Sequence, residues 1–387
     1  MVNNNIFLGA SLIHRNYIHT DIYALLSKHL LNNILNTVLY LLKVVAQEKS
    51  LPKISVIIPT RDRPKDLAEV LLSILNQEYL PHEVIIVDGS PRKTAKSVYE
   101  AYVQKFEKAN SKLKYIEEGG IGLTTGRNLG IRAAEGDAVL FLDDDVVLEK
   151  DTILTLAKFL KENPKALGIQ PRIITTKEKT GKKLSERIIN AVRKTLMLSY
   201  REENKLAVRR SGASIYPYPH TKTIQAQRLS GCCSCFRKEV FKTMKFDTKL
   251  KRWSYMEDLD FSYRLHKRNP GTLYAIPYTK IVHKESGEAR LPSKTQTYMK
   301  TVYWYYIFFK DIYEGSLLNL IAFLWAQAGT LFLVLANTIA KRKNKNYRKT
   351  LIYLIESHIY ALKNLKNIVA QNLEFFNKKL LQAKKPS

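Results

Sequence analysis

Acidic residues are scarce in this chain of 387 residues. It contains 35 aspartates and glutamates against 63 lysines and arginines, which gives a formal net charge of +28. Such a charge suits a polyanion, an anionic membrane surface or a phosphorylated substrate, and it carries no information about the fold. No base-stacking or recognition motif accompanies the charge, so we expect no nucleic-acid partner.

Cysteines are fewer still, and the three present lie together as Cys232, Cys233 and Cys235. Adjacent cysteines make a poor covalent staple, and no second pair completes a zinc site with the Cys232–Cys235 spacing. The pattern therefore argues against a disulfide-stabilised or zinc-bound fold. It predicts a reduced, cytoplasmic setting, with the cysteines on a core strand.

Signals for secretion and for the commonest nucleotide sites are also missing. The N-terminus, MVNNNIF, has polar residues where a signal peptide carries basic ones. The glycine-rich stretch 119–127 is neither a dinucleotide-binding G-x-G-x-x-G nor a Walker A loop. Residues 22–46 are apolar but interrupted by lysine, histidine and asparagine. This predicts an amphipathic helix within a helical N-terminal extension over residues 1–51.

Near the C-terminus, residues 315–340 contain no charged residue, which is long enough to cross a bilayer. An aromatic run at 302–309 precedes this stretch and a basic run at 341–349 follows it. Its polar side chains lower the hydropathy, so the sequence leaves open whether the helix spans the membrane or lies in its interface. We expect residues 291–387 to form a membrane-associating helical region with a basic tail at the cytoplasmic face of the membrane.

Residues 52–170 alternate short apolar runs with helical periodicity, which is typical of an α/β fold with a mostly parallel sheet flanked by helices. The predicted strands are 54–60, 83–90, 112–118 and one that begins at 138, and the predicted helices are 67–77, 94–109 and 125–134. A basic insertion follows at 172–226, as either a solvated surface or an acceptor-side or lipid-facing patch. Residues 227–290 return to the strand–helix rhythm.

Three consecutive aspartates, at 143–145, close the apolar strand that begins at 138. The ends of two other predicted strands, at 59–60 and at Asp88, fall at the same sheet edge, where open α/β sheets bind their ligands. Neighbouring carboxylates repel one another unless a cation neutralises them, and hard divalent cations prefer oxygen ligands. The stretch indicates either a metal site or an acidic turn that caps the next helix.

Further candidate residues lie at predicted helix starts and strand ends. Arg127 follows a glycine at a helix start, where a guanidinium suits a phosphate or a base carbonyl. Glu257 and Asp258 open another helix, either as partners of the helix dipole or as a general base. His283 follows a short apolar strand, and a lone histidine is more often structural than ligating.

Taken in order, VIIPTRDR, IIVDGS, GRNLGIRAAEGD, LFLDDDV, LSGCCSCFRKEVF, MEDLDFSYRL and VHKES form a recognisable series. The series resembles the inverting family 2 glycosyltransferases of GT-A fold, in particular rhamnosyltransferase-like members that build surface polysaccharides. The resemblance predicts a GT-A catalytic domain over residues 52–290. Two positions depart from the family pattern. Val87 stands where a second acid commonly precedes Asp88, and Lys245 replaces the glycine before Phe246.

The resemblance implies roles for individual residues. Contacts to the nucleotide and donor sugar would come from Pro59, Thr60, Arg61, Asp88, Arg127, Asp143, Asp144 and Gly231. A divalent metal, Mn²⁺ or Mg²⁺, would be bound by Asp145, Asp143 and His283. Asp258 would be the base that deprotonates the acceptor hydroxyl, and Glu257 would orient the acceptor.

The implied activity is metal-assisted, inverting transfer of a sugar from a nucleotide-diphosphate donor to a hydroxyl of a lipid-linked glycan acceptor. A membrane-surface scaffold without catalysis would explain the basic tail but not the acidic clusters. A sugar-phosphate nucleotidyltransferase usually carries a glycine-rich loop after the first strand, and PTRDRPKD lacks those glycines.

Overall fold

A computed structural model of the protein describes residues 51–175, 184–285 and 293–382. The helix predicted over 22–46 and the rest of the N-terminal extension up to residue 50 lie outside the described residues. So does a short part of the basic insertion, at 176–183.

Within the described residues, the strands form one large and one small sheet. They are β1 (Ile54–Thr60), β2 (Glu83–Asp88), β3 (Lys112–Glu117), β4 (Ala138–Leu142), β5 (Val146–Leu148), β6 (Gly168–Thr175), β7 (Tyr200–Glu202), β8 (Ala207–Val208), β9 (Ser214–Pro217), β10 (Ile224–Gln225), β11 (Cys233–Arg237) and β12 (Leu273–His283). The large sheet has the order β10-β12-β6-β11-β4-β1-β2-β3, with β5 also paired to β12. The small sheet, β7-β9-β8, lies within the basic insertion.

Helices follow most of the strands and continue beyond the last one. They are α1 (Pro64–Leu75), α2 (Lys96–Lys108), α3 (Leu123–Ala133), α4 (Thr152–Glu162), α5 (Leu184–Thr195), α6 (Glu257–Arg268), α7 (Ser293–Ile307), α8 (Leu317–Ala340), α9 (Lys345–Lys363), α10 (Leu365–Val369) and α11 (Glu374–Gln382). A 3₁₀-helix at Lys238–Lys242 follows β11, and a π-helical segment at Phe308–Ile312 extends α7.

The first half of the large sheet is parallel, as the strand–helix rhythm predicts. Strand β1 pairs in parallel with β2 and β4, and β2 pairs in parallel with β3. Six of the seven residues of β1 are buried, because helices cover both faces of a parallel sheet. The register places Thr60 beside Asp88, so these strand ends do fall at one edge of the sheet.

Strand β11 joins this parallel half to the rest of the sheet by pairing antiparallel with β4 and β6. The three cysteines are buried and free of disulfides. Two of them lie on β11 and the third directly precedes it, in agreement with the core-strand prediction. Beneath them, five phenylalanines pack ring against ring across β4, β11, the 3₁₀-helix and α6: Phe141, Phe236, Phe241, Phe246 and Phe261. This aromatic core supports the start of α6.

The C-terminal helices share a second hydrophobic core with the sheet domain. Leu250 and Leu259 pack with residues of α7, α8, α9, α10 and α11. The Tyr303 hydroxyl accepts a hydrogen bond of 2.8 Å from the Lys251 amide, and the Tyr306 hydroxyl donates one of 2.6 Å to Asp247. Helix α7 therefore fixes the loop that leads into α6.

Candidate active site

A cleft of about 770 Å³ opens at the C-terminal edge of the parallel strands. The ends of β1, β2 and β4, the first turn of α6 and the end of β12 contribute its walls. The predicted convergence of strand ends is visible in one contact, because the Thr60 hydroxyl donates a 2.7 Å hydrogen bond to Asp144. Pro59 and Arg61 line the same wall.

Two arginines of the loop after β1 organise this wall. Arg61 lies over the Trp253 ring, 5.6 Å from its centroid, and donates to the Gly120 carbonyl. Arg63 donates to Asp144 at 2.9 Å and to Asp145 at 3.2 Å. Sequence reasoning assigned Arg61 but missed Arg63, whose only signal was its place two residues further along the same loop.

Asp143, Asp145 and His283 form a compact cluster of possible metal ligands. One ligand atom from each residue lies within 4.8 Å of the others. Pairing between β5 and β12 creates the cluster, because the register sets His283 opposite Val146, next to Asp145. The His283 imidazole is 3.1 Å from an Asp145 carboxylate oxygen. Two carboxylates and an imidazole suit Mn²⁺ or Mg²⁺, so the residues fit such an ion.

Titration of these groups reflects their burial and their neighbours. Burial raises the pKa of Asp144 to about 7, although Arg63 and Thr60 act in the opposite direction. Burial lowers the pKa of His283, but hydrogen bonding to Asp145 and nearby negative charge outweigh it and raise the pKa to about 11. The neighbouring acceptors and negative charge therefore favour positive charge within this cluster.

Asp88 is held by the backbone after its own strand. Its carboxylate accepts hydrogen bonds from the amides of Ser90 and Ala95, at 2.7 and 3.1 Å, and from the Tyr115 hydroxyl at 3.0 Å. These contacts show that Asp88 shapes the loop after β2. The adjacent Gly89 lines the cleft, and contact of Asp88 with a nucleotide stays a prediction.

Arg127 lies behind the cleft rather than in it. The side chain is almost fully buried between the rings of Phe141 and Phe246. Its guanidinium donates to Glu257 at 3.1 Å and to the Gly231 carbonyl at 2.9 Å. The sequence predicts that Arg127 binds the nucleotide directly. In the structure these contacts make Arg127 a support for the acidic pair of α6, and direct contact of Arg127 with a nucleotide stays a prediction.

The loop before α6 is strained where it presents the acidic pair. Arg252, Ser254 and Met256 all have positive φ angles, of 59°, 52° and 65°. Each such non-glycine residue costs on the order of 1–3 kcal/mol, and these conformations cluster at functional sites. The first turn of α6 begins directly after Met256, with Glu257 and then Asp258.

Asp258 is the more exposed member of the pair, with a side chain 20% exposed against 10% for Glu257. One oxygen accepts from the Gly231 amide at 3.0 Å and pairs with Arg228, and the other accepts from the Leu259 amide at 2.7 Å. A carboxylate offers about four acceptor positions. Three are therefore used, which leaves one for a group in the cleft.

Glu257 differs from Asp258 in its surroundings. Burial and the neighbouring charge of Asp258 raise the pKa of Glu257, against the effect of Arg127. Gly231 lies next to both acids, just before β11. A Cβ atom there would lie 2.9 Å from an Arg127 nitrogen and 3.2 Å from a Glu257 oxygen. This close approach explains the glycine, whose predicted role was to let the backbone approach the donor.

Sequence reasoning missed two other residues of the cleft. Arg228 is buried and also donates to the Ser214 and Tyr216 hydroxyls, at 2.8 and 2.9 Å, so the basic insertion supports the acidic pair. Glu118 lines the opposite wall and accepts from the Gly122 amide at 2.7 Å. Only its position at a strand end, before two glycines, could have indicated Glu118.

Comparison with known proteins agrees with this geometry. Residues 55–245 match the family described as Glycosyl transferase family 2. TarS of Staphylococcus aureus, a poly(ribitol-phosphate) β-N-acetylglucosaminyltransferase, is 33% identical over 113 residues, which is 29% of this chain and 19% of TarS. A GalNAc(5)-diNAcBac-PP-undecaprenol β-1,3-glucosyltransferase of Campylobacter jejuni is 34% identical over 114 residues, 29% of this chain and 36% of that protein. The match thus spans only 19% and 36% of these relatives' lengths.

Solved structures resemble the chain over a larger part of its length. The mannosyltransferase PcManGT of Pyrobaculum calidifontis aligns with a TM-score of 0.51 at 19% identity, over 81% of this chain and 88% of its own. GalNAc-T7 aligns with a TM-score of 0.50 at 16% identity, over 67% of this chain and 50% of its own. At these identities the likeness concerns the fold, which is GT-A, as the motif order predicts.

Proposed function

Residues 55–245 of this chain belong to glycosyltransferase family 2, and on that premise we propose that the protein transfers a sugar from a nucleoside-diphosphate donor to an acceptor hydroxyl. The observation that carries the proposal is a single cleft that contains both a cluster of metal-ligating side chains and a carboxylate with a free acceptor position. The first suits a diphosphate and the second suits a hydroxyl proton.

In this proposal Asp143, Asp145 and His283 hold Mn²⁺ or Mg²⁺. The bound ion supplies positive charge that stabilises the departing nucleoside diphosphate. The structures of PcManGT and GalNAc-T7 both contain Mn²⁺, which supports this assignment. Arg63 orients Asp144 and Asp145, because it donates to both.

Asp258 is the proposed base. Its remaining acceptor position takes the proton of the acceptor hydroxyl while that oxygen attacks the anomeric carbon. The bond from the anomeric carbon to the diphosphate oxygen breaks in the same displacement, and its electron pair leaves with the diphosphate. A single displacement inverts the configuration, so the reaction needs no carboxylate nucleophile. Glu257, held by Arg127, is the proposed group that orients the acceptor.

We infer that the acceptor is a lipid-linked glycan. The name of the Campylobacter jejuni relative describes a substrate on a diphosphate-linked undecaprenol carrier. In this chain, Leu333 and Val334 of the apolar helix α8 line the same cleft as Asp258. An acceptor with a sugar hydroxyl at one end and an apolar carrier at the other matches both ends of the cleft.

The test is a comparison of donor binding and turnover in three variants. Wild-type protein is titrated with a panel of sugar nucleotides, with and without Mn²⁺, by calorimetry, and hydrolysis or transfer products are followed by NMR. Asp145→Asn should lose the metal-dependent part of donor binding. Asp258→Asn should keep it, while turnover falls by about 10²–10⁴-fold because the base is missing. Asp137→Asn is the matched control, since Asp137 is exposed at the opposite end of β4.

Inversion is read from the anomeric configuration of the product. Retention would contradict the single displacement. Equal donor binding by wild type and Asp145→Asn would contradict the metal assignment. Failure of every sugar nucleotide to bind, with metal present, would contradict the transferase proposal and return the chain to a non-catalytic role at a surface.

A further inference from the structure

Helix α8 packs against the protein with one of its sides. The chain has one helix in its described part that is long and apolar enough to cross a membrane, and this is α8. Its buried residues recur on one side, from the second turn to the last: Ala322, Phe323, Ala326, Gln327, Gly329 and Thr338. Phe323 stacks on Phe308 with the ring centroids 4.0 Å apart, and the Thr338 hydroxyl lies 3.2 Å from the Tyr347 carbonyl.

The opposite side of α8 is apolar and exposed. We call it the apolar face of α8, and it consists of Leu317, Leu318, Ile321, Leu324, Trp325, Phe332, Leu335 and Ile339. These side chains are between 45% and 68% exposed. Contiguous exposed apolar surface on this scale marks an interaction site rather than ordinary solvent-facing surface.

Helix α5 continues this surface. The Trp325 indole donates a 2.9 Å hydrogen bond to the Thr195 carbonyl, and Leu196 packs against Gly329. The end of α5 thus touches the middle of α8, and α5 exposes Ile188, Ile189 and Val192. Exposed Arg187, Arg193 and Lys194 alternate with these residues on the same short helix. An apolar stripe beside basic residues is typical of helices that lie in a membrane interface.

Charge around the apolar face selects an anionic occupant. Between residues 315 and 355 the sequence has no aspartate or glutamate, and six lysines and arginines follow α8 directly at 341–349. Those six side chains are exposed. Each basic residue near a membrane rich in anionic lipid contributes about 1 kcal/mol of attraction. Another protein surface of apolar character would gain nothing from this charge.

We propose that α8 and α5 attach the protein to the surface of an anionic bilayer, with α8 lying in the plane of the interface. One side of α8 packs on the protein around Phe323 and at Thr338 and lines the cleft between them, which leaves only the other side for lipid. The sequence alone left open whether this segment spans the bilayer, and the buried stripe decides for the interfacial orientation.

The orientation also places the cleft at the membrane. Thr330, Leu333, Val334 and Asn337 line the cleft from the side of α8 that also carries its buried residues. Helix α8 therefore lies between the cleft and the apolar face, so that a lipid carrier can remain in the bilayer while its sugar reaches past α8 to Asp258. This last step rests on the proposed function, whereas membrane attachment does not.

The experiment measures binding and depth separately, on the full chain. Flotation with vesicles of phosphatidylcholine, with or without phosphatidylglycerol, should show binding that depends on the anionic lipid. Leu324→Glu should weaken that binding about tenfold or more, because an apolar contact is replaced by a charge. Leu72→Glu on α1 is the matched control, since Leu72 is 51% exposed and Leu324 is 52% exposed.

Depth is read from fluorophores attached at Leu318→Cys and Leu335→Cys, near the two ends of the apolar face. The three native cysteines are buried, so labelling is selective. Lipid-borne quenchers should report equal, shallow depths. A spanning helix would separate the two labels by about 25 Å across the bilayer. Unequal depths, or unchanged binding by Leu324→Glu, would overturn the proposal, as would an equal loss in Leu72→Glu. Donor binding in the same variants, measured without vesicles, reports on the proposed function alone.

Discussion

Replacement of Arg228 by methionine tests whether this buried arginine controls the proposed base. Arg228 is buried and pairs with Asp258, so Arg228→Met removes the positive charge and keeps most of the side-chain volume. Two unit charges about 4 Å apart interact by roughly 4 kcal/mol at an effective dielectric constant of about 20. Asp258 is partly exposed and keeps two backbone hydrogen bonds. We therefore discount the loss to about 1–3 kcal/mol.

The loss of this interaction should shift the profile of kcat/KM against pH in one direction. Burial lowers the pKa of Arg228, but the attraction to Asp258 outweighs it and raises the pKa, and Arg228→Met removes this attraction. The acidic limb of the profile of kcat/KM against pH should move upward by about 1–2 pH units, since 1.36 kcal/mol corresponds to one unit. Activity should recover partly at higher pH. Arg228→Lys keeps the charge and should leave the limb near its wild-type position.

The control is Arg264→Met, which breaks another arginine–aspartate pair on α6. Arg264 pairs with the buried Asp260 at 2.6 Å, and Asp260 keeps Lys310 as a second partner. Both variants should lower the free energy of unfolding, but only Arg228→Met should change the pH profile. If Arg228→Met lowers stability and activity at every pH in proportion, Arg228 has a structural role and the reasoning fails.

Two further predictions concern the support of the cleft. Gly231→Ala should lower kcat by about 10²-fold with donor binding nearly unchanged. The reason is that the new methyl group displaces Arg127 and Asp258 by several tenths of an ångström. An unchanged kcat in a steady-state assay would contradict this prediction. Burial raises the pKa of Asp247, but pairing with Lys310 outweighs the effect of burial, so the pKa is lowered. The Asp247–Lys310 pair therefore stabilises the fold above about pH 4, and this stabilisation is lost as the pH falls further. Lys310→Met should therefore lower the free energy of unfolding by about 3 kcal/mol at neutral pH, with the difference from wild type shrinking in acid; a difference independent of pH in urea titrations would contradict it.

The strands of the sheet were predictable because buried strands are short apolar runs in the sequence. Strand β1 is a short apolar run bounded by polar residues, and the structure places it at 54–60 as expected. Helix α1 begins at Pro64, three residues before the predicted start, because proline is favoured in a first turn and the prediction began at the first apolar residue. Boundaries depend on such local signals, whereas the existence of an element depends on the whole apolar pattern.

The candidate site was only partly predictable. Consecutive aspartates and a glutamate–aspartate pair at strand and helix boundaries have few structural uses, so these residues could be singled out. Arginines carry no such signal. Arg127, predicted to face the nucleotide, is buried under two phenylalanine rings, while Arg63 and Arg228 contact the acids without having been assigned. The acid that an arginine contacts can lie far away in the sequence, 82 residues for Arg63 and 130 for Arg127, and sequence spacing does not predict such pairs.

The pairing of arginines with acids bears on why the proposed transfer would need a metal. Arg63, Arg127 and Arg228 each contact a carboxylate of the cleft or its wall. If one of them turned to neutralise a diphosphate, it would leave behind a carboxylate without its partner, at a cost of several kcal/mol for a buried group. An ion bound by Asp143 and Asp145 avoids that cost, because it neutralises the two carboxylates and the diphosphate together. The three arginines are thus better suited to hold the acids in place than to bind the donor, and the positive charge for the leaving group is left to the cation.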